Sequence, residues 1–230
     1  MSEVISNAQT YSAQTYNSHV SISDFTVVNS GILNLSGATG YNVTVSSGGI
    51  VDVYNGLSFF YLSTYATSFS AYVPTSGLLD GATISSGGSI YLESFNNFGS
   101  PFSNLVEASN VDLQNSAYMF VASGDLAFST TLESGATLNV IAGGTIFNTL
   151  LESGATLITE SGVTDSGIAL ESGATLNVIA GGTIFNTLLE SGATLITESG
   201  VTDSGIALES GATLNVIAGG TIFNTLLESG

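Results

Sequence analysis

The chain of 230 residues contains no lysine, no arginine, no cysteine and no tryptophan, and has only one histidine and two prolines. Each absence removes a class of chemistry. Without Lys or Arg there is nothing to neutralise phosphates, so nucleic-acid binding is excluded as a function. The phosphate-gripping lysine of a P-loop, a Schiff-base lysine and an arginine finger are excluded with it. A polybasic contact with anionic lipid goes the same way. Without Cys there are neither disulfides nor thiolate metal sites, a fact that fits any compartment. Long apolar runs are missing too. Gly, Ser, Thr or Asn interrupts them every few residues, far short of the roughly 20 that a spanning helix needs. No direct membrane insertion is expected of this segment. Met1-Ser2-Glu3-Val4 carries neither a basic residue nor an apolar stretch of signal-peptide type.

What is present points to an ordered β protein. Eighteen acids against no bases set the formal charge at −18, yet 43% of the residues are hydrophobic and only 8% charged, the opposite of an acidic disordered chain. Serine (35), threonine (26) and glycine (28) are abundant. They are distributed in a repeat. Residues 133–170 read ESGATLNVIAGGTIFNTLL-ESGATLITESGVTDSGIAL, residues 171–208 repeat those 38 letters unchanged, and 209–230 begin a third copy. Each 38-residue unit splits into two 19-residue halves sharing nine positions, so the basic period is 19. Residues 114–132 fit the same frame. Looser starts are visible at Ser86-Gly87-Gly88, Ser47-Gly48-Gly49 and Asn29-Ser30-Gly31, with ten residues in excess of one period between about 85 and 114.

The unit lacks helical periodicity. Its short runs of Thr, Val, Ile, Leu and Phe separated by Ser-Gly and Gly-Gly are strand-and-turn chemistry. Nineteen residues at about 3.3 Å make a circuit of roughly 60 Å, the size of one coil of a parallel β-helix. The expected fold is therefore all-β, a parallel β-helix (solenoid) with about one coil per 19 residues. Residues 1–28 are its start or cap, 29–132 degenerate coils with an inserted loop near 93–107, and 133–230 near-perfect coils of an array cut short at its C-terminal end. Leu138 aligns with Leu157 and Leu151 with Leu170, so these columns should point inward. Ile146 aligns with Asp165 and Ile141 with Glu160; because an unpaired buried charge is prohibitive, both columns are expected to face solvent. Strict alternation from Leu151 and Leu170 places Thr149, Phe147, Ile168 and Ser166 inward.

The cadence SGATLNVIAGGTIFNTLLESGATL resembles the 19-residue repeats of AIDA-type autotransporter adhesin passengers, closely over residues 133–230 and loosely over 29–132. The resemblance implies a right-handed parallel β-helix displayed outside a Gram-negative cell, acting in adhesion, self-association or biofilm formation. It also implies glycosylation on Ser or Thr. Self-association through β-helix edges or faces, and host or bacterial surface glycans or proteins, are the partners it brings.

Three kinds of repeated side chain are candidates for function. The Glu column, Glu133, Glu152, Glu171, Glu190 and Glu209, would place carboxylates about 5 Å apart. Hard cations favour such oxygens, so weak calcium sites are one reading. The other is a solvated turn column that keeps an apolar array soluble, favoured because no calcium-loop motif accompanies it. Asp165, Glu160, Asp203 and Glu198 fall under the same reading. Two Thr columns persist through every ideal coil: Thr137, Thr156, Thr175, Thr194, Thr213 and Thr145, Thr164, Thr183, Thr202, Thr221. They read as β-propensity and solubility, or, through the family resemblance, as glycosylation acceptors. An ice-binding lattice is the weaker alternative, since no coil carries a Thr-x-Thr pair. Asn139, Asn177 and Asn215, like Asn148, Asn186 and Asn224, alternate with Ile158 and Gly167, so they form no unbroken ladder and are expected at turns or on the surface.

Catalytic means are few. His19 with Ser21 or Ser23 and Asp24 is the one formal triad set, weak in a Ser-rich chain. Paired acids for glycoside cleavage need only two carboxylates, and Glu93 and Glu107 flank the expected loop. All nine Tyr fall between 11 and 118. Recognition is accordingly placed at Phe59, Phe60, Tyr61, Tyr65 and Tyr72, and at Phe98 and Phe102 in the loop. The function expected is a non-catalytic adhesive stalk, without cofactor or resident metal, on the bacterial surface or secreted. A glycan-binding or glycan-cleaving solenoid is the alternative.

Overall fold

The structure, a computed structural model, describes residues 3–6, 10–16, 20–23, 26–36, 39–46, 50–54, 58–65, 69–74, 78–84, 87–93 and 107–228; up to residue 79 and at Glu93 only the backbone is described. These residues are all-β, without helix, and every pairing between strands is parallel. The chain winds as a β-solenoid, with six regular turns of 19 residues in its C-terminal half.

One turn shows why the sequence coils. Thr137–Val140 forms a first wall, Thr145–Phe147 a second and Leu150–Leu151 a third. Glu133-Ser134-Gly135-Ala136 turns the chain into the first wall, with the Ala136 N–H donating to the Glu133 carbonyl at 2.9 Å. Gly135 sits at φ +75°, a left-handed conformation that glycine adopts without steric cost. Ile141-Ala142-Gly143-Gly144 makes the next corner, closed by the Gly144 N–H on the Ile141 carbonyl at 2.9 Å. The third corner is a single residue, Asn148 at φ +53°. Asparagine is among the few non-glycine residues that visit this region readily.

Each wall then pairs with its copies in neighbouring turns. Thr137–Val140 lies against Tyr118–Val121 on one side and Thr156–Thr159 on the other, always 19 positions apart. The same offset governs the second and third walls. Corner amides join the stack as well: the Glu152 N–H donates to the Leu132 carbonyl and the Glu171 N–H to the Leu151 carbonyl, both at 2.8 Å. Upstream the spacing loosens. Glu3–Ser6 pairs with Val20–Ser23 at 17 positions, and Leu78–Asp80 with Glu107–Ser109 at 29. The expected loop residues 94–106 lie outside the described residues.

The interior is repetitive. In one turn Ala136, Leu138, Val140, Ile146, Thr149 and Leu151 are buried, and in the next Ala155, Leu157, Thr159, Val163, Asp165, Ile168 and Leu170. At about 1.5–3 kcal/mol per large apolar side chain, a turn gains enough only when neighbours cover both of its faces. The Leu138/Leu157 and Leu151/Leu170 columns point inward as expected, and the Ile141/Glu160 column is partly exposed, also as expected.

Two expectations are corrected. Phe147 and Ser166 point outward, not inward. Alternation from Leu151 fails because Asn148, and Gly167 at φ +71° in the next turn, reverse the chain between the second and third walls. Phe147 instead stacks on Phe128 outside the rod, with ring centroids 5.2 Å apart and planes 14° from parallel. The Ile146/Asp165 column is inward: Ile146, Asp165, Ile184 and Asp203 all have 0% exposure. The prohibition assumed an ionised carboxyl, whereas a protonated one carries no charge to bury.

Candidate functional site

The most regular outward feature is the pair of Thr columns. Thr137, Thr156, Thr175, Thr194 and Thr213 are direct Cα partners in successive turns, each opening the first wall. Thr145, Thr164, Thr183, Thr202 and Thr221 do the same at the start of the second wall. None of the ten is buried. The two columns run along adjacent walls on either side of the corner at 141–144, so the rod presents two parallel rows of hydroxyls at a spacing of about 4.8 Å. Among the described residues no histidine stands beside either column, and the acids nearest to them are the corner glutamates, Glu160 and Glu198 between the two columns and Glu152 and Glu190 ahead of the first.

The Glu column lies at the corner between third and first walls, part-exposed from Glu133 to Glu209. Its backbone amides are used in the stack, while its carboxylates face solvent in single file. Glu133 is held above the ordinary glutamate range by partial desolvation first, then by the neighbouring charges of Asp112 and Glu152. Among the described residues no group of three or more acidic or histidine side chains converges where a metal ion could sit.

Upstream, Asp80 Oδ1 accepts hydrogen bonds from Asn110 Nδ2 at 2.7 Å and Ser109 Oγ at 2.9 Å, joining two turns across the 29-residue step. These bonds hold its carboxyl below the usual aspartate value. Glu107 opens the strand Glu107–Ser109 and is part-exposed. Of its suggested companion Glu93 only the backbone is described, and His19 and Asp24 lie outside the described residues.

The recognition residues named from sequence fall where side chains are not described. Phe59, Phe60, Tyr61 and Tyr65 lie in the strand Ser58–Tyr65 and Tyr72 in Phe69–Pro74, while Phe98 and Phe102 lie outside the described residues. Sequence reasoning missed a nearby outward group. Tyr91 contacts Tyr118 and Phe120, with ring centroids at 6.0 and 6.1 Å. The signal was the 29-residue step, which makes Tyr91 the register partner of Phe120. Asn148, Asn186 and Asn224 occupy corners, as expected of turn residues, whereas Asn139 and Asn177 stand on the outer face of the first wall.

Inside the rod, Asp165 and Asp203 are the unforeseen polar groups. Neither oxygen of either carboxyl has a hydrogen-bond partner of good geometry. Burial pushes Asp165 up to about 8, opposed more weakly by the Thr159 hydroxyl and the Ile146 backbone. Asp203 is pushed up to about 7 by burial. The smaller effect at Asp203 follows from its closeness to the last turn, where Val216, Phe223 and Leu226 are open to solvent.

No protein-family model and no curated protein matches the chain in sequence. Solved structures do match in fold. The crystal structure of a TibC-catalysed, hyper-glycosylated TibA fragment aligns over 100% of this chain and 93% of that one, with a TM-score of 0.54 at 20% identity. The A-module of the Azotobacter vinelandii mannuronan C-5 epimerase AlgE6 covers 99% and 81%, at TM-score 0.39 and 14% identity. The Streptococcus pneumoniae surface protein and adhesin PfbA covers 98% and 91%, at TM-score 0.26 and 10% identity. At such identities the likeness is one of architecture, and of these three the TibA fragment, at a TM-score above 0.5, is the one that carries weight.

Proposed function

We propose that the chain is a non-catalytic stalk of the AIDA-type adhesin kind, surface-displayed or secreted, that spaces and presents adhesive surface and associates with copies of itself. The observation that carries this reading is the pair of Thr columns, held in unbroken register over successive turns. A repeated neutral hydroxyl face suits contact along its length more than chemistry at one point. The columns are also the best-placed acceptors for O-linked sugar: they are outward and evenly spaced. The fold likeness to a hyper-glycosylated TibA fragment supports that part of the reading. Host or bacterial surface glycans and proteins are the partners to which such a rod would be presented.

Deletion of residues 171–208 from the displayed chain tests the proposal. A 38-residue deletion keeps the Ile/Asp alternation, whereas removing 19 would stack Asp165 directly on Asp203. The shortened rod should still melt cooperatively, while cells displaying it clump less than cells with the full array. Unchanged clumping would contradict the stalk reading. So would a glycan-cleaving activity lost on replacing Glu93 and Glu107, which would favour a hydrolase instead.

A further inference from the structure

We propose that Asp165 and Asp203 form a proton-dependent lock in the core: each 38-residue unit closes around a protonated carboxyl, takes up a proton when it folds, and loosens when that proton is lost. The inference does not depend on what the rod binds.

The geometry carries it. Asp165 follows Ile146 and precedes Ile184 in one inward column, and Asp203 stands between Ile184 and Ile222. Both have 0% exposure, and all four carboxyl oxygens lack a hydrogen-bond partner of good geometry. The buried side chains sharing the turn of Asp165 are Ala155, Leu157, Thr159, Val163, Ile168 and Leu170. None can supply a charge. Those sharing the turn of Asp203 are Ala193, Leu195, Thr197, Val201, Ile206 and Leu208, equally uncharged. The chain has no Lys or Arg anywhere, so no cation can be recruited. Asp125 is the other buried carboxyl among the described residues, two turns from Asp165 in a different column. A like acid there would add to the cost of ionisation, not relieve it. The two halves of the unit are also matched in size: where Ile146 becomes the smaller Asp165, Thr149 becomes the larger Ile168 on the third wall. The carboxyl thus occupies a fitted place in the core.

Burial raises both groups above their ordinary value of 3.8, to about 8 and about 7. The folded state therefore holds protons that the unfolded chain has already released. Their contribution to stability is complete below the unfolded value and is lost as pH rises through the folded values. The window runs from about pH 4 to about pH 8. Outer carboxylates also repel one another on ionising, but salt screens that repulsion. Buried groups are screened far less.

The test measures the thermal midpoint of the full chain across this window at fixed ionic strength, for wild type and for the double variant Asp165→Asn, Asp203→Asn. Asparagine keeps the size and removes the titration. The wild-type midpoint should fall as pH rises through about 7 to about 8, and the double variant should lose that fall. Infrared spectra of the folded wild type at neutral pH should retain the carbonyl stretch of a protonated carboxylic acid. That reading needs no variant, so it decides the matter even if the double variant does not fold. Absence of the protonated band at neutral pH, or an unchanged pH slope in the double variant, would overturn the proposal.

Discussion

Asp165 replaces with a carboxyl the isoleucine that Ile146 and Ile184 place in the same column, and Thr159 replaces with a hydroxyl the valines Val140 and Val178. These residues show how far polarity can enter a solenoid core when each turn is covered on both sides. The third wall repeats the lesson at Thr130, Thr149 and Thr187, buried with hydroxyls that have no hydrogen-bond partner. A buried, unpaired hydroxyl costs about 1–3 kcal/mol relative to an apolar group of the same shape. Thr149→Val should therefore stabilise the rod by about 1 kcal/mol, read as a higher urea midpoint at constant slope. A lower midpoint would show that the hydroxyl has a partner in solution. At this scale the sequence was legible wherever a column holds one residue type, as at Leu138/Leu157. It misleads where a column alternates, because an ionised Asp165 would have to face solvent whereas a protonated one need not. Charge state is set by burial, which no single residue reveals.

The element that decides which way side chains face is the one-residue corner between the second and third walls. It is filled by Asn110, Ser129, Asn148, Gly167, Asn186, Gly205 and Asn224 in turn, all at positive φ. In the regular half the alternation of Asn and Gly is steric as well as conformational: a Cβ added at Gly167 would lie 2.7 Å from Asn148 Oδ1. The asparagine amide thus covers the glycine of the neighbouring turn. Asn148→Ala forces a β-carbon into the left-handed region without the local polarity that favours Asn there, at a cost of about 1–2 kcal/mol. Asn148→Gly should cost less than half of that, and denaturant melts of the two variants check the order. Equal losses would place the importance of Asn148 in its side chain, not its backbone. This corner is also where period-two reasoning failed for Phe147 and Ser166. Alternation holds within a strand and is reset by each left-handed residue, and Asn in the middle of Phe-Asn-Thr carries no sign strong enough to announce it.

The whole molecule is a stack in which 19 residues of sequence advance the rod by one strand spacing. That conversion was the most legible property of all, since a 38-residue unit repeated letter for letter, built from two related 19-residue halves, left few other folds able to bury Leu138, Leu157 and their copies together. The missing cations acquire a meaning at this scale. An interior holding carboxyls with no base to pair them, under an exterior bearing only acids, makes the rod sensitive to proton concentration and gives it no cation for phosphate or anionic partners. Less regular pairing upstream, with steps of 16 to 29 positions, shows that the architecture tolerates sequence drift while the register is kept by parallel hydrogen bonding.

The absence of cysteine permits a direct test of the coiling. Spin labels at Thr137→Cys and Thr213→Cys, 76 positions apart, would stand on the same outward column four turns apart. Dipolar spectroscopy should then give a narrow backbone separation of about 19 Å, four spacings of about 4.8 Å. A flexible chain of that length would spread around roughly 50 Å. A broad distribution or a separation well beyond about 19 Å would contradict the solenoid, and with it the aligned Thr face on which the proposed function rests.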